Sequence, residues 1–352
     1  MYGFLQTAIS VVSMILSSIV VYVVFFHSPR SMGTYTRFIT NFTLCDFMMS
    51  FCVGFVVRPF PIFPFDGGLV EGFVRGLGDT GGAISFAIIL NALAYCLSAQ
   101  CACIIYRFSV LLDNKAILQF VVSKITWTFA YTGNVIFTIG TTYLSVKLQV
   151  RREDLQYFLR DTASHHPEVP IPNLDNEVYI YMNFSGTIAT ITGLLVVFGF
   201  MIVEIISLGC VFTIFHQMEV KKHTFSPTTY KMHRQLTAAL LAQVIAPIIF
   251  IMLPVMYIMF GRYYRSGLSE LTGQVLVLCM DMYGGISSMI TLYFIAPYRR
   301  VVFKAMWGWR SSSKRVEEWK TEPWAIRTKS ISTRGRADGL EKSLRRGSRM
   351  VP

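Results

Sequence analysis

Charge is scarce in this chain. Only 15% of its 352 residues are Asp, Glu, Lys or Arg, against about 25% in soluble domains, while 53% are apolar and the mean hydropathy is +0.50. A water-soluble globular protein is excluded and a membrane protein expected. Lysine is missing from every long apolar stretch, so no side chain is available to hold retinal as a Schiff base, which removes photoreceptors and light-driven pumps. Cysteine is missing from the connectors: all seven cysteines lie inside apolar stretches, which argues against an external disulfide scaffold. The six histidines sit in connectors or at the edges of apolar runs, and neither H-E-x-x-H, G-x-S-x-G nor a glycine-rich phosphate loop occurs. His165-His166 is an adjacent pair without spaced partners, a weak metal signal. The chain is therefore read as a non-enzyme with no metal and no cofactor. One half of the apolar pattern does not repeat in the other, which disfavours an inverted-repeat transporter.

What is present is seven apolar runs, each long enough to cross a hydrocarbon core, which needs roughly 20 residues. They cover Phe4 to Phe26, Phe38 to Val57, Gly81 to Tyr106, Ile125 to Val146, Gly186 to Phe215, Leu236 to Phe260 and Leu271 to Pro297, and none contains Lys or Arg. Such runs must be helical in lipid, because barrel strands are only about 9 to 11 residues long and alternate in polarity. The expected fold is an all-α membrane protein, a bundle of seven transmembrane helices.

An odd number of spans puts the termini on opposite sides. The even-side connectors and the chain from Tyr298 onward carry 24 Lys and Arg, the other side 8. The positive-inside rule then places the C-terminus in the cytoplasm and the N-terminus outside. The first run, 23 residues from Phe4, exceeds the about 7 to 15 of a signal-peptide core and is expected to be a signal-anchor. The tail supplies +10 of the net charge of +12, which points to an anionic lipid surface rather than to nucleic acid.

Residues 1–303 are read as the receptor-like bundle and 304–352 as a basic, largely disordered cytoplasmic tail. The first outer loop, RPFPIFPFDGGLVEGFVRGLGD, is too rich in proline and glycine for a regular helix and is expected to fold as a cap. In the second, Leu148, Leu155, Phe158 and Leu159 recur among charges as in a short amphipathic helix. After the seventh run, YRRVVFKAMWGWR has the spacing of an interfacial helix. Ser348, following Arg345 and Arg346, resembles a basophilic kinase site.

Ionisable groups inside spans are costly and so are functional candidates. Asp46 is expected about 12 Å deep from the inner end of the second span, and Asp281 near the midplane of the seventh. The two are read as an intramembrane polar switch, together with Asn41, Asn91 or Gln100, or as groups that serve packing alone. Glu204 is expected near the inner lip of the fifth span, in reach of water. Pro247 and Pro254 each remove an intrahelical hydrogen bond and are expected to kink the sixth span. In QCACIIYRF, Cys101 and Cys103 are about 200° apart around a helix and cannot share a metal.

SPRSMGTYTRFITNFTLCDF, RPFPIFPFDGGLVEG, CACIIYRFSVLL, AQVIAPIIFIMLPV and IAPYRR, in this order, resemble motifs of the nematode serpentine chemoreceptors, most closely their Srh and Sri branches within the Str superfamily. The resemblance spans about Phe4 to Phe303. It implies a G-protein-coupled-receptor-like protein of chemosensory neurons, in a plasma or ciliary membrane, that detects a small environmental molecule. Unlike rhodopsin-class receptors, the third helix ends Tyr106-Arg107-Phe108 with no acidic residue before the arginine, and the seventh lacks Asn-Pro-x-x-Tyr. Ser85, Asn91, Tyr257, Gln274 and Asp281 are candidate ligand contacts. Arg107, Lys115, Lys221, Lys222, Lys231 and Arg234 are candidates for the face that meets a heterotrimeric G protein. A ligand-gated channel with the tail outside, or a transporter, is the alternative.

Overall fold

A computed structural model describes residues 1–28, 33–65, 67–112, 115–165, 167, 171–172, 174, 176–182, 187–224, 227–263 and 269–306. The long rods are α1 (Tyr2–His27), α2 (Gly33–Phe51), α3 (Gly78–Leu111), α5 (Lys124–Leu148), α7 (Thr187–Val220), α8 (Pro227–Pro247) continued by α9 (Leu253–Tyr263), and α10 (Glu270–Phe294). Shorter helices are α4 (Lys115–Val122), α6 (Arg152–His165) and α11 (Ala296–Met306). Six rods are long and apolar enough by composition to cross a membrane. The remaining one, α5, is as long as α10 but dilutes its apolar residues with seven Ser and Thr. Its outer face is nonetheless hydrophobic, and with it the bundle counts seven.

The burial pattern is that of a protein in lipid. Phe26 is 73%, Phe129 75% and Leu195 68% exposed, on an apolar surface far broader than water tolerates. Inward stripes follow helical spacing: α7 buries Glu204, Ser207, Val211, Ile214 and Met218. α3 packs against α2, α5 and α7, whereas α10 packs against α1, α2 and α8. Between them lie two apolar clusters, one around Ile104, Ile214, Leu240 and Tyr298, the other around Phe42, Leu97, Ile251 and Tyr283.

The proline- and glycine-rich first loop forms two strands, β1 (Pro59–Pro61) and β2 (Gly67–Val70), and the later connector adds β3 (Tyr179–Tyr181) in the antiparallel order β1-β2-β3. Pro59 and Pro61 lack N–H donors, which suits them to an edge strand. Gly68 is required for close approach, since a Cβ there would lie 2.9 Å from the Phe60 carbonyl oxygen. α6 lays Leu155 and Leu159 against Ile62, Phe65, Tyr179 and Tyr181. Arg152 clamps the cap: its guanidinium donates to Asp79 at 2.5 and 3.3 Å and to the Leu174 and Glu177 carbonyls at 3.0 Å each.

Two rods loosen into π-turns. α2 continues through Cys52–Val57, and α8 passes to α9 through Ile248–Met252. The second turn lies between Pro247 and Pro254, which remove the N–H donors that would reach the carbonyls of Gln243 and Phe250 in a regular helix. A wider turn is how a helix absorbs such a break. His166, Trp307, Ser348 and the rest of the tail beyond residue 306 lie outside the described residues.

Removing the clamp tests the cap. Arg152→Ala is expected to cost about 1–3 kcal/mol of local stability and to speed amide exchange in residues 176–182 without altering exchange in α10. Unchanged exchange in β3 would show that the clamp is not what holds the cap.

Candidate functional site

Several of the polar groups buried in the bundle meet at α10. Asp46 of α2, 1% exposed, accepts a hydrogen bond from Ser287 Oγ at 2.7 Å and one from the Cys96 thiol of α3 at 2.8 Å. Asp281 accepts from Ser10 Oγ of α1 at 2.7 Å through one carboxylate oxygen, and its other oxygen has no partner among the described residues. Tyr283 is fully buried and donates to Gln100 Oε1 of α3 at 2.9 Å. Ser17 and Ser288 share a hydrogen bond at 2.9 Å, and Gln243 Nε2 of α8 donates to Thr291 Oγ1 at 2.9 Å. One helix thus exchanges hydrogen bonds with α1, α2, α3 and α8.

Small residues make this reach possible. A Cβ on Gly284 would stand 2.6 Å from Ser50 Oγ, and one on Gly285 2.7 Å from Ser13 Oγ. On the α2 side, a Cβ on Gly54 would collide with Ser10. In lipid, where no hydrophobic force draws helices together, such close approach and the hydroxyl bonds it permits supply the association.

The predicted positions distribute as follows. Asp46 and Asp281 do not bond each other; each takes a serine hydroxyl, and α10, which carries Asp281 and Ser287, connects them. Ser85 turns its hydroxyl back to the Gly81 carbonyl, and Asn91 donates to Ala87 O and to Thr141 of α5. Tyr257 is 55% exposed on the outer surface of α9, and Gln274 donates to Glu270 at 2.9 Å on its own helix. The hydrogen bonds of Ser85, Asn91, Gln274 and Asp281 thus go to other residues and not to one another. On α3, Ser85 and Asn91, six residues apart, lie about 120° apart around the helix.

At the other end of the bundle, Arg107 is half-buried, with its guanidinium 3.6 Å from the Tyr35 ring centre. Lys221 donates to the Leu111 carbonyl at 3.0 Å, and Lys222 approaches the Tyr230 ring at 5.7 Å. Lys222, Lys231 and Arg234 are exposed, and Lys115 opens α4. The Tyr230 hydroxyl donates to Glu219, whose carboxylate raises the phenol above its ordinary value.

Glu204 is a correction. It is 4% exposed, on the inward stripe of α7, and neither carboxylate oxygen has a partner among the described residues. α7 extends to Val220, beyond the expected end of that span, so the residue lies near the middle of the helix and is closed off from water by burial. The repeat Glu204, Ser207, Val211, Ile214, Met218 was the signal that placed it inward. All seven cysteines are free thiols, and Cys103 is buried while Cys101 is half-buried, on different faces of α3.

The profile of the family described as "Serpentine type 7TM GPCR chemoreceptor Srh" matches residues 1–308. The chain belongs to the Srh family. It is a multi-pass membrane protein of the serpentine chemoreceptor class, which is not an enzyme class. Serpentine receptor class delta-18 of Caenorhabditis elegans is 23% identical to this Srh chain over 305 residues, covering 82% of the chain and 83% of the relative.

Gly285→Leu, on the α10 seam, is expected to lower folded yield and thermal stability clearly, whereas Ser18→Leu, on the lipid-facing side of α1, is expected to be neutral. Loss of the Asp46 acceptor in Asp46→Leu is expected to cost about 0.6–2 kcal/mol, read as a lower melting temperature in detergent. Equal melting temperatures for Gly285→Leu and Ser18→Leu would contradict the close packing of the seam.

Proposed function

We propose that this Srh protein is a chemosensory receptor of the plasma membrane, including that of sensory cilia, which detects a small environmental molecule and signals to a heterotrimeric G protein. The family match over residues 1–308 carries this reading. In it the N-terminus is outside, the sheet-bearing cap covers the outer mouth, and the tail is cytoplasmic.

A ligand shifts such a protein only by binding one packing arrangement more tightly than another. The polar contacts of α10 are suited to be that variable element, because they connect helices from both halves of the chain through single hydroxyl bonds. Asp46 and Asp281 are the proposed switch residues, and the π-turn between Pro247 and Pro254 is the proposed hinge of the sixth rod. Ser85, Asn91, Tyr257 and Gln274 are the weaker part of the proposal, since each bonds locally or faces outward. The exposed Lys222, Lys231 and Arg234, with Lys115, Lys221 and Arg107 nearby in sequence or fold, form the proposed G-protein face.

The test is a screen of volatile and water-soluble small molecules on cells expressing the chain, with G-protein activation as the readout. A responding compound is expected, and the double charge reversal Lys222→Glu with Arg234→Glu is expected to cut the response about tenfold or more at unchanged surface level. A response that survives removal of every G protein would overturn the mechanism. A C-terminal epitope accessible from outside intact cells would overturn the orientation and favour a ligand-gated channel.

A further inference from the structure

Where α10 meets α11, the outer surface carries a groove of about 420 Å³ lined by Ile286, Met289, Ile290 and Tyr293 from α10 and by Arg299 and Phe303 from α11. Its size lies within the about 300–1,000 Å³ of small-molecule sites. Arg299 is the charged group of this lining, and it is fixed at one end. Its Nη1 donates to the Tyr293 carbonyl at 3.3 Å, and its guanidinium lies 5.6 Å from the Tyr293 ring centre. The same short helix adds the exposed cations Arg300 and Lys304 and carries no acidic residue. Tyr298 and the adjacent Val301 and Val302 pack into the main core, which fixes α11 with these cations outward.

We propose that this elbow binds one anionic phospholipid, with an acyl chain in the groove and the phosphorylated headgroup on Arg299, flanked by Arg300 and Lys304. The pairing of an apolar cleft with a cationic end decides the class. A soluble anion would leave the cleft empty, a neutral lipid would bring no negative charge to Arg299, and an acidic peptide would have to bury charge among Met289, Ile290 and Phe303. A second groove, of about 470 Å³, runs between α1 and α2 and is lined by Val11, Met14, Ile15, Ser18, Ile19, Tyr22, Phe47 and Phe55. It has no charged lining residue and serves as the internal control.

The experiment uses the full chain in phosphatidylcholine nanodiscs doped with phosphatidylinositol 4,5-bisphosphate, with lipid retention read by native mass spectrometry. Preferential retention of one anionic lipid is expected. Arg299→Gln should weaken it about fivefold, Arg299→Lys should recover most of it, and Met289→Trp, which fills the cleft, should weaken it independently. Ile15→Trp, in the control groove, should leave it unchanged. Equal retention of phosphatidylcholine, indifference to both Arg299→Gln and Met289→Trp, or displacement by soluble inositol trisphosphate at comparable concentration would each overturn the proposal.

Discussion

A carboxyl group taken out of water inside a helix bundle is costly, and hydrogen bonds from neighbouring helices offset part of that cost. Asp46 takes two donors, the Ser287 hydroxyl and the Cys96 thiol, and Asp281 takes the Ser10 hydroxyl on one oxygen, whereas Glu204 has no donor among the described residues. The donors are short side chains, so the helices that carry them must approach closely. That requirement explains Gly284 and Gly285 on α10, Gly54 beyond α2, and the serines at positions 10, 13 and 17 of α1.

The same contacts make α10 the helix that joins distant parts of the chain. Its Asp281 reaches a residue 271 positions earlier, and its Ser287 one that is 241 positions earlier. Single hydroxyl bonds in lipid are individually weak, about 0.6 kcal/mol on average, so a set of them holds one arrangement without making another inaccessible. A receptor needs both properties: a defined resting packing and an alternative within reach of a ligand's differential affinity. The π-turn between Pro247 and Pro254 lies beside α10, which packs against that turn as well as against α8.

The bundle was legible because lipid imposes a length rule that apolar runs report directly. Seven such runs and the motifs quoted from them led to the fold class and to the family. The polar interior was legible in part. Asp46, Asp281 and Gln100 stood out as polar groups in apolar runs, but their partners did not, since Ser10, Ser287 and Tyr283 are ordinary helix residues whose importance arises from long-range packing. Glu204 was expected in reach of water, yet it is buried; its inward stripe was readable from Val211, Ile214 and Met218. The β-cap was foreseen only as a non-helical fold. Its register depends on Gly68 meeting Phe60 and on Tyr179 arriving from a connector more than 100 residues later.

The most direct test of the α10 seam is a cysteine cross-link across it. Ser17→Cys with Ser288→Cys replaces a hydroxyl pair whose oxygens are 2.9 Å apart, a separation from which two thiols can form a disulfide with little movement. Mild oxidation in native membranes is expected to join α1 to α10 rapidly, whereas Ser18→Cys with Ser288→Cys, one residue around α1, should react far more slowly. Failure of the first pair to cross-link, or equal rates for both pairs, would contradict the central place given to this seam.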